Sequence, residues 1–453
     1  MLHLDVLGPT GPYRSRKQKT IHDVTGTPVA SLSLAPRVYV TRALHAMRQT
    51  ETLPTDERVT AIARAGTAFA TATVAGLSAE EYQRTVSAVS GMPIATVRSA
   101  TAAIAHAADR ADHSAQQARP LGAVTDWHDP LTRTGRAVWI RRGEVFAVHA
   151  AGNHPAVHQA WLDALALGYR VAVRPSRREP FTPYRLVTAL RDAGFRDDQV
   201  VLLPTDHDAA DEIVRQADRS LVYGGDDVMR KYADHPTVLP QGPGRSKILL
   251  TADTDWTLAL DTIIDSISSG GGVGCVNATA VLVEGDPAPV AEAIAARLAQ
   301  LPSLPPHDER AILPVFSTEA ARLLETHLQA RAEGTTSVLG GNGNVDELGD
   351  GSAVLRPSVH QVDSPFSDQI GVELGFPCVW IAPWSRDAGI APLRGTLVLT
   401  AITTDEQMLD DLVAEPTISN VHIGHHPTSW MEPGLPHDGY LGEFLMRSKT
   451  VLR

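Results

Sequence analysis

A thiol held at a glycine-rich bend can attack a carbonyl carbon, and Cys275 stands in such a setting. It follows Gly270-Gly271-Gly272-Val273-Gly274 and precedes an apolar run, Thr279-Ala280-Val281-Leu282-Val283. Glycine at this density lets the backbone turn and approach a ligand without Cβ clashes. At such a bend the cysteine's own N–H can point at the oxyanion that forms as sulfur adds. The same residues suit a packed thiol beside a loop, and the local sequence leaves both readings open. Cys378 follows Pro377 and opens an apolar run, so it reads as packing. Two cysteines cannot supply a disulfide framework or a thiolate zinc cluster.

Other chemistries find little support. His154 and His158 stand four apart on an expected helix, a spacing that puts both on one face. A His-Glu-x-x-His zinc site would need Glu where the chain has Pro155, so we read a surface or pocket pair and no metal. His422, His425 and His426 read as an exposed turn. Neither the G-x-G-x-x-G fingerprint, the phosphate loop nor the G-x-S-x-G elbow occurs. Gly242-Pro243-Gly244-Arg245-Ser246-Lys247 is glycine-rich without matching any of them.

The elements that must position Cys275 follow from periodicity. Residues 1–36 are polar and turn-rich and read as a solvated arm, and helical spacing of apolar residues follows to about Ala118. Residues 133–148 read as two short strands joined by a Gly-containing turn. Strands at 169–174, 200–203 and 220–223 then alternate with helices at 155–167, 182–194 and 208–218, the pattern of a doubly wound parallel sheet. A second α/β region takes strands at 247–250, 279–283, 379–381 and 395–400, with helices at 256–268, 287–300 and 318–332.

Four segments, in order, resemble the aldehyde dehydrogenase superfamily. They are Gly152-Asn153-His154-Pro155, Arg174-Pro175-Ser176 in place of Lys-Pro-Ser, Gly274-Cys275, and Glu373-Leu374-Gly375-Phe376-Pro377. The resemblance spans roughly 145–380 and accounts for the missing fingerprint, because this family binds its dinucleotide on a variant Rossmann sheet. It implies an α/β fold of two doubly wound Rossmann-type domains, a helical N-terminal region and a β oligomerisation arm. Residues 1–125 would be the arm and helices on the cofactor domain, and 126–148 with 430–453 the β arm. Residues 149–245 would be the NADP-binding domain and 246–429 the catalytic domain. Cys275 would accept the acyl group, with the Asn153 amide and the Cys275 N–H as oxyanion hole. Arg174, Ser176, Arg177, Gly224, Gly225, Glu373 and Phe376 would bind the cofactor, Glu373 through the nicotinamide-side ribose.

Two departures sharpen the expectation. Aldehyde-oxidising members carry a Glu 34 positions before the nucleophile to activate water; here that residue is Gln241. An amide takes no proton at neutral pH, so water should clear a thioacyl enzyme slowly. NAD-preferring members usually carry an acid after Lys-Pro-Ser; here Arg177 follows, which favours NADPH over NADH. Tyr223-Gly224-Gly225 and Gln241 to Lys247 look closest to long-chain acyl reductases of bioluminescence and to carboxylate reductase subunits of antibiotic pathways. Ile21 to Val29 suits the latter.

The resulting expectation is NADPH-dependent reduction of a CoA or carrier-protein thioester to an aldehyde. The alternatives are an NAD(P)-dependent aldehyde dehydrogenase, an acyl-phosphate reductase, or a cofactor-binding scaffold that has lost catalysis. An acid-activating ligase partner and a homodimer or homotetramer are implied. Lys+Arg number 40 against 52 Asp+Glu, a net charge of −12, which argues against nucleic-acid binding but leaves room for a local basic pocket. No signal peptide or membrane-length apolar stretch is visible, so the cytoplasm is the expected location.

Overall fold

Runs such as Val145-Phe146-Ala147-Val148 and Leu397-Val398-Leu399 are apolar without alternation, as strands covered on both faces must be. A computed structural model describes residues 1–453 and places these runs on interior strands of two seven-stranded sheets. The first runs in the order Val238–Gln241, Arg219–Tyr223, Val145–His149, Arg170–Arg174, Val200–Leu202, Val6–Gly8, Gly11–Tyr13. Its first five strands are parallel and its last two pairings are antiparallel. The second runs Thr336–Leu339, Ser358–Gln361, Cys378–Trp384, Ala278–Glu284, Ser246–Leu250, Thr396–Ile402, Ile418–Ile423. Only its first pair is antiparallel. No helix is long and apolar enough to cross a membrane.

Strand Val145–His149 shows how the layers form. Phe146 and Val148 face a core built with helices Thr55–Thr71 and Ile94–Gln116, while Val145 and Ala147 face Val40, Leu44 and Ile213 on the opposite side. Gly66 allows the first two helices to touch, since a Cβ there would lie 2.4 Å from Ala108 Cβ. Helix Ala79–Ser90 begins with a reciprocal capping box between Ser78 and Glu81.

Two expectations are corrected. Residues 1–36 are not a solvated arm: strands Leu2–Leu4, Gln18–His22 and Pro28–Ser33 form a three-stranded sheet, and Val6–Gly8 extends the first large sheet. Val6 and Leu32 are fully buried. Strands of three to six residues broken by Gly and Pro carry too few periods to register. Second, the two strands within 133–148 do not pair with each other. Arg136–Arg141 pairs antiparallel with Met446–Val451, whereas Val145–His149 is central in the first sheet. The turn between them changes layer instead of closing a hairpin.

Candidate active site

Parallel sheets present their connecting loops at the carboxyl edge, and ligands bind where the strand order reverses. In the first sheet that point lies between Val145–His149 and Arg219–Tyr223. Asn153, Ser176, Arg177, Gly224 and Gln241 all lie at or just past the carboxyl ends of its strands. Cys275, Gly244 and Glu373 precede strands of the second sheet, at its amino edge. The candidate site is the seam between these edges.

The thiol's loop is shaped by glycine. Gly270, Gly271 and Gly272 take φ of +63°, +84° and +65°, a succession closed to residues with a Cβ. Asn277 locks the turn: its Oδ1 accepts from the Gly274 N–H at 2.9 Å, and its Nδ2 donates to the Ser266 and Ser269 carbonyls. The Asn153 amide donates to the Val273 carbonyl at 2.8 Å, which brings it to the Cys275 loop. From the other side Gly244 lies against the Cys275 peptide, where a Cβ would come within 1.9 Å of the Cys275 carbonyl oxygen. Ser246 Oγ donates to that oxygen at 3.0 Å. The glycine-rich segment that matches no phosphate-binding or nucleophile motif is therefore the floor under Cys275.

Glu373 Oε2 accepts from the Gly244 and Arg245 N–H groups at 2.9 and 3.0 Å. Burial raises its proton affinity, against the opposing pull of those two N–H groups. Arg245 is held at a positive φ of 47° by these bonds and by its own donation to the Gly371 carbonyl and to Asp226. The carboxylate expected on a cofactor ribose thus braces the floor of the site. Phe376 is only 1% exposed and packs in the core of the second sheet, so the structure does not bring it to the seam. Gln241 is registered opposite Tyr223, and its carbonyl accepts from the Gly224 N–H at 3.0 Å.

Arg174, Ser176 and Arg177 meet in an open cavity of about 400 Å³, lined also by Lys19, Ala150, Arg178 and His207. Arg174 donates to Thr205 Oγ1 at 2.9 Å and Arg177 contacts His207 Nε2 at 2.6 Å. Burial, then the charge of Arg177, lowers the Arg174 pKa. Gly152 lets the Asn153 loop cross Ser176, since a Cβ there would be 2.2 Å from Ser176 Oγ. Lys19 comes from a segment expected to be solvated and was not expected here. Crowded cations suit a multiply charged anion, so these residues fit the phosphorylated end of a dinucleotide. Gly224 and Gly225 lead into helix Asp226–Tyr232, next along the same edge.

The histidine pair is corrected. His154 Nδ1 accepts from the Ala156 N–H, capping a short 3-10 turn, and His158 Nδ1 accepts from Trp161 Nε1 at 3.1 Å. Burial pushes their pKa values down to about 4 and about 3, so both stay neutral at ordinary pH. His158 is fully enclosed, so it is not a surface group, whereas His154 is half-buried. No group of three or more His, Cys, Asp or Glu side chains is arranged to hold a metal.

Sequence reading missed His437 altogether. Its Nδ1 stands 3.5 Å from Asp438 Oδ2, and the charge of its ring is coupled to Asp438 and to the Cys275 thiol. Burial disfavours the charged ring, but Asp438 and Cys275 outweigh it and push its pKa up to about 10. Tyr223, raised first by burial and then by Cys275 and Asp438, remains a neutral hydroxyl beside them. Asn420 Nδ2 donates to the His437 carbonyl and to the Leu397 carbonyl, fastening this stretch to the second sheet. Nothing in the sequence between 275 and 437 announces that they meet.

Comparison with known proteins places this fold among relatives. A model of the aldehyde dehydrogenase family matches residues 12–389. Among solved structures, an NAD-dependent aldehyde dehydrogenase from Sinorhizobium meliloti superposes with a TM-score of 0.85 at 19% identity, over 99% of this chain and 94% of that one. A gamma-glutamyl-gamma-aminobutyraldehyde dehydrogenase from Burkholderia cenocepacia gives 0.82 at 17%, over 100% and 97%. An NADP-dependent enzyme from E. coli gives 0.82 at 16%, over 99% and 98%. At these identities the structures speak to the fold.

Proposed function

Because the chain belongs to the aldehyde dehydrogenase family, an oxidoreductase family, we propose that it reduces an acyl thioester to an aldehyde through a thioacyl intermediate on Cys275. The observation that supports this reading is the amide of Gln241 at the position where aldehyde-oxidising members carry the Glu that primes water. The other carboxylate nearby, Glu373, accepts two peptide N–H bonds on Oε2. The Cys275 sulfur adds to the donor's carbonyl, the Asn153 amide and the Cys275 N–H receive the oxyanion, and the donor thiolate leaves. When bound, the nicotinamide supplies the hydride that reduces the acyl group. Asn153 and the Cys275 N–H then hold the second oxyanion until the bond to sulfur breaks and the aldehyde departs.

The acceptor decides between directions. With aldehyde and NADP⁺ supplied, the enzyme is expected to form reduced cofactor once per active site and then stall until CoA or another thiol is added. Steady acid release without thiol would establish the second reading, oxidation of an aldehyde to an acid. His437 with Asp438 beside Cys275 is the observation that favours that alternative, since the pair could prime water after acylation.

Cofactor preference follows from the basic cavity. Lys19, Arg174, Arg177 and His207 support NADPH, whose extra phosphate matches four clustered donors. Arg177→Glu is expected to lower kcat/KM for NADPH by about tenfold or more while changing that for NADH far less. Equal losses with both cofactors would remove the phosphate from this pocket. The ribbon of Arg136–Arg141 and Met446–Val451, whose second strand is mostly exposed, supports contact with a second copy, although Val145–His149 plays no part in it.

A further inference from the structure

We propose that Arg245 is a positioning residue of the nucleophile, a clasp across the seam that fixes the floor under Cys275 against the first sheet. This rests on Cys275 being the acyl acceptor, but not on the direction of the reaction. Arg245 takes a φ of +47°, a conformation that strains a residue with a Cβ. Glycine would turn the chain here at lower cost, so the position is held by what the side chain does. That side chain reaches both sheets. Nη2 donates to Asp226 Oδ1 at 2.6 Å, and Asp226 opens the helix Asp226–Tyr232 that follows strand Arg219–Tyr223 of the first sheet. Nε donates to the Gly371 carbonyl at 2.8 Å, and the Arg245 N–H donates to Glu373 Oε2 at 3.0 Å. Both acceptors lie on the stretch leading into strand Cys378–Trp384 of the second sheet.

The residues on either side of Arg245 are the ones that hold Cys275. Gly244 lies against the Cys275 peptide, and its own carbonyl accepts from the Leu397 N–H at 2.8 Å. Ser246 Oγ donates to the Cys275 carbonyl and accepts from the Val398 N–H at 3.3 Å. A displacement at residue 245 therefore reaches the nucleophile through two adjoining peptides. The ion pair with Asp226 is partly exposed, so it adds little to the stability of the fold. Its worth is geometric. The planar guanidinium bonds in two directions at once, which an ammonium on a flexible stem does less well. Misplacing a reacting group by an ångström costs about a hundredfold in rate, so a slack floor weakens catalysis long before it unfolds the protein.

Acyl transfer from p-nitrophenyl acetate tests this without nucleotide or a natural acyl donor. Attack of the Cys275 sulfur on the ester carbonyl forms a thioacetyl enzyme and expels p-nitrophenolate, so the first turnover is read as a burst of colour, with Cys275→Ala as the blank. Arg245→Gly keeps the N–H that binds Glu373 and relieves the strained φ. It is expected to slow the burst about tenfold, while the half-saturating ester concentration stays within about twofold. Asp226→Ala should act in the same direction, and the double variant should lose no more than Arg245→Gly alone, because both changes remove one contact. A full burst rate in either single variant, a loss confined to half-saturation, or additive losses in the double variant would overturn the assignment. Asp226→Ala serves by itself should Arg245→Gly not fold. Acid release in the acceptor assay would overturn the thioester reading yet leave these ratios standing, and acetylation that persists in Cys275→Ala would remove the acyl acceptor itself, so the failures are distinguishable.

Discussion

Cys275→Ala is expected to abolish turnover, lowering kcat by at least about a thousandfold while cofactor still binds. Removing a nucleophile erases the covalent path, and no other thiol can replace it, since Cys378 is enclosed on the second sheet with its thiol pushed upward in pKa by burial. Intact-mass measurement after exposure to acyl thioesters checks the cause. The native protein should gain one acyl group, Cys275→Ala none, and retained acylation in the variant would move the acceptor elsewhere. Nucleotide binding measured in parallel separates this from unfolding, because the basic cavity draws on Lys19, Arg174 and Arg177, none of which is bonded to Cys275.

Asn153→Ala is the second large effect, a loss of about a hundred- to a thousandfold in kcat, the usual cost of one oxyanion donor. The bond from its amide to the Val273 carbonyl uses one N–H and leaves the other for a developing oxyanion. The loss should fall on kcat more than on KM, because the interaction strengthens only as charge forms. A pure KM effect would instead mean that Asn153 merely holds the Val273 loop.

How much of this could be read in advance depends on distance along the chain. The alternation from Ala160–Ala166 through Ala288–Leu298 agrees with the expected strands and helices to within a few residues, because Gly and Pro punctuate runs whose periods are local. Asn153, Arg174, Ser176 and Arg177 are reached through the family resemblance alone, and the structure sets each at or within four residues of the end of a strand. Lys19 and His437 are not legible in the sequence. One lies on an exposed edge of a five-residue strand and the other in a Pro- and Gly-rich stretch, and only tertiary packing carries them to the seam. The pairing of Arg136–Arg141 with Met446–Val451, across three hundred residues, was equally out of reach of any local pattern.

Gly244 carries a consequence for how this protein can change. The nucleophile's height is set by one peptide stacked on another, with Glu373 pinning that peptide and Leu397 bonded to its far end. Side chains that do not touch this peptide contact can therefore be exchanged without displacing the Cys275 backbone. Specificity is free to drift, while any residue larger than glycine at 244 would derail the chemistry for every substrate at once.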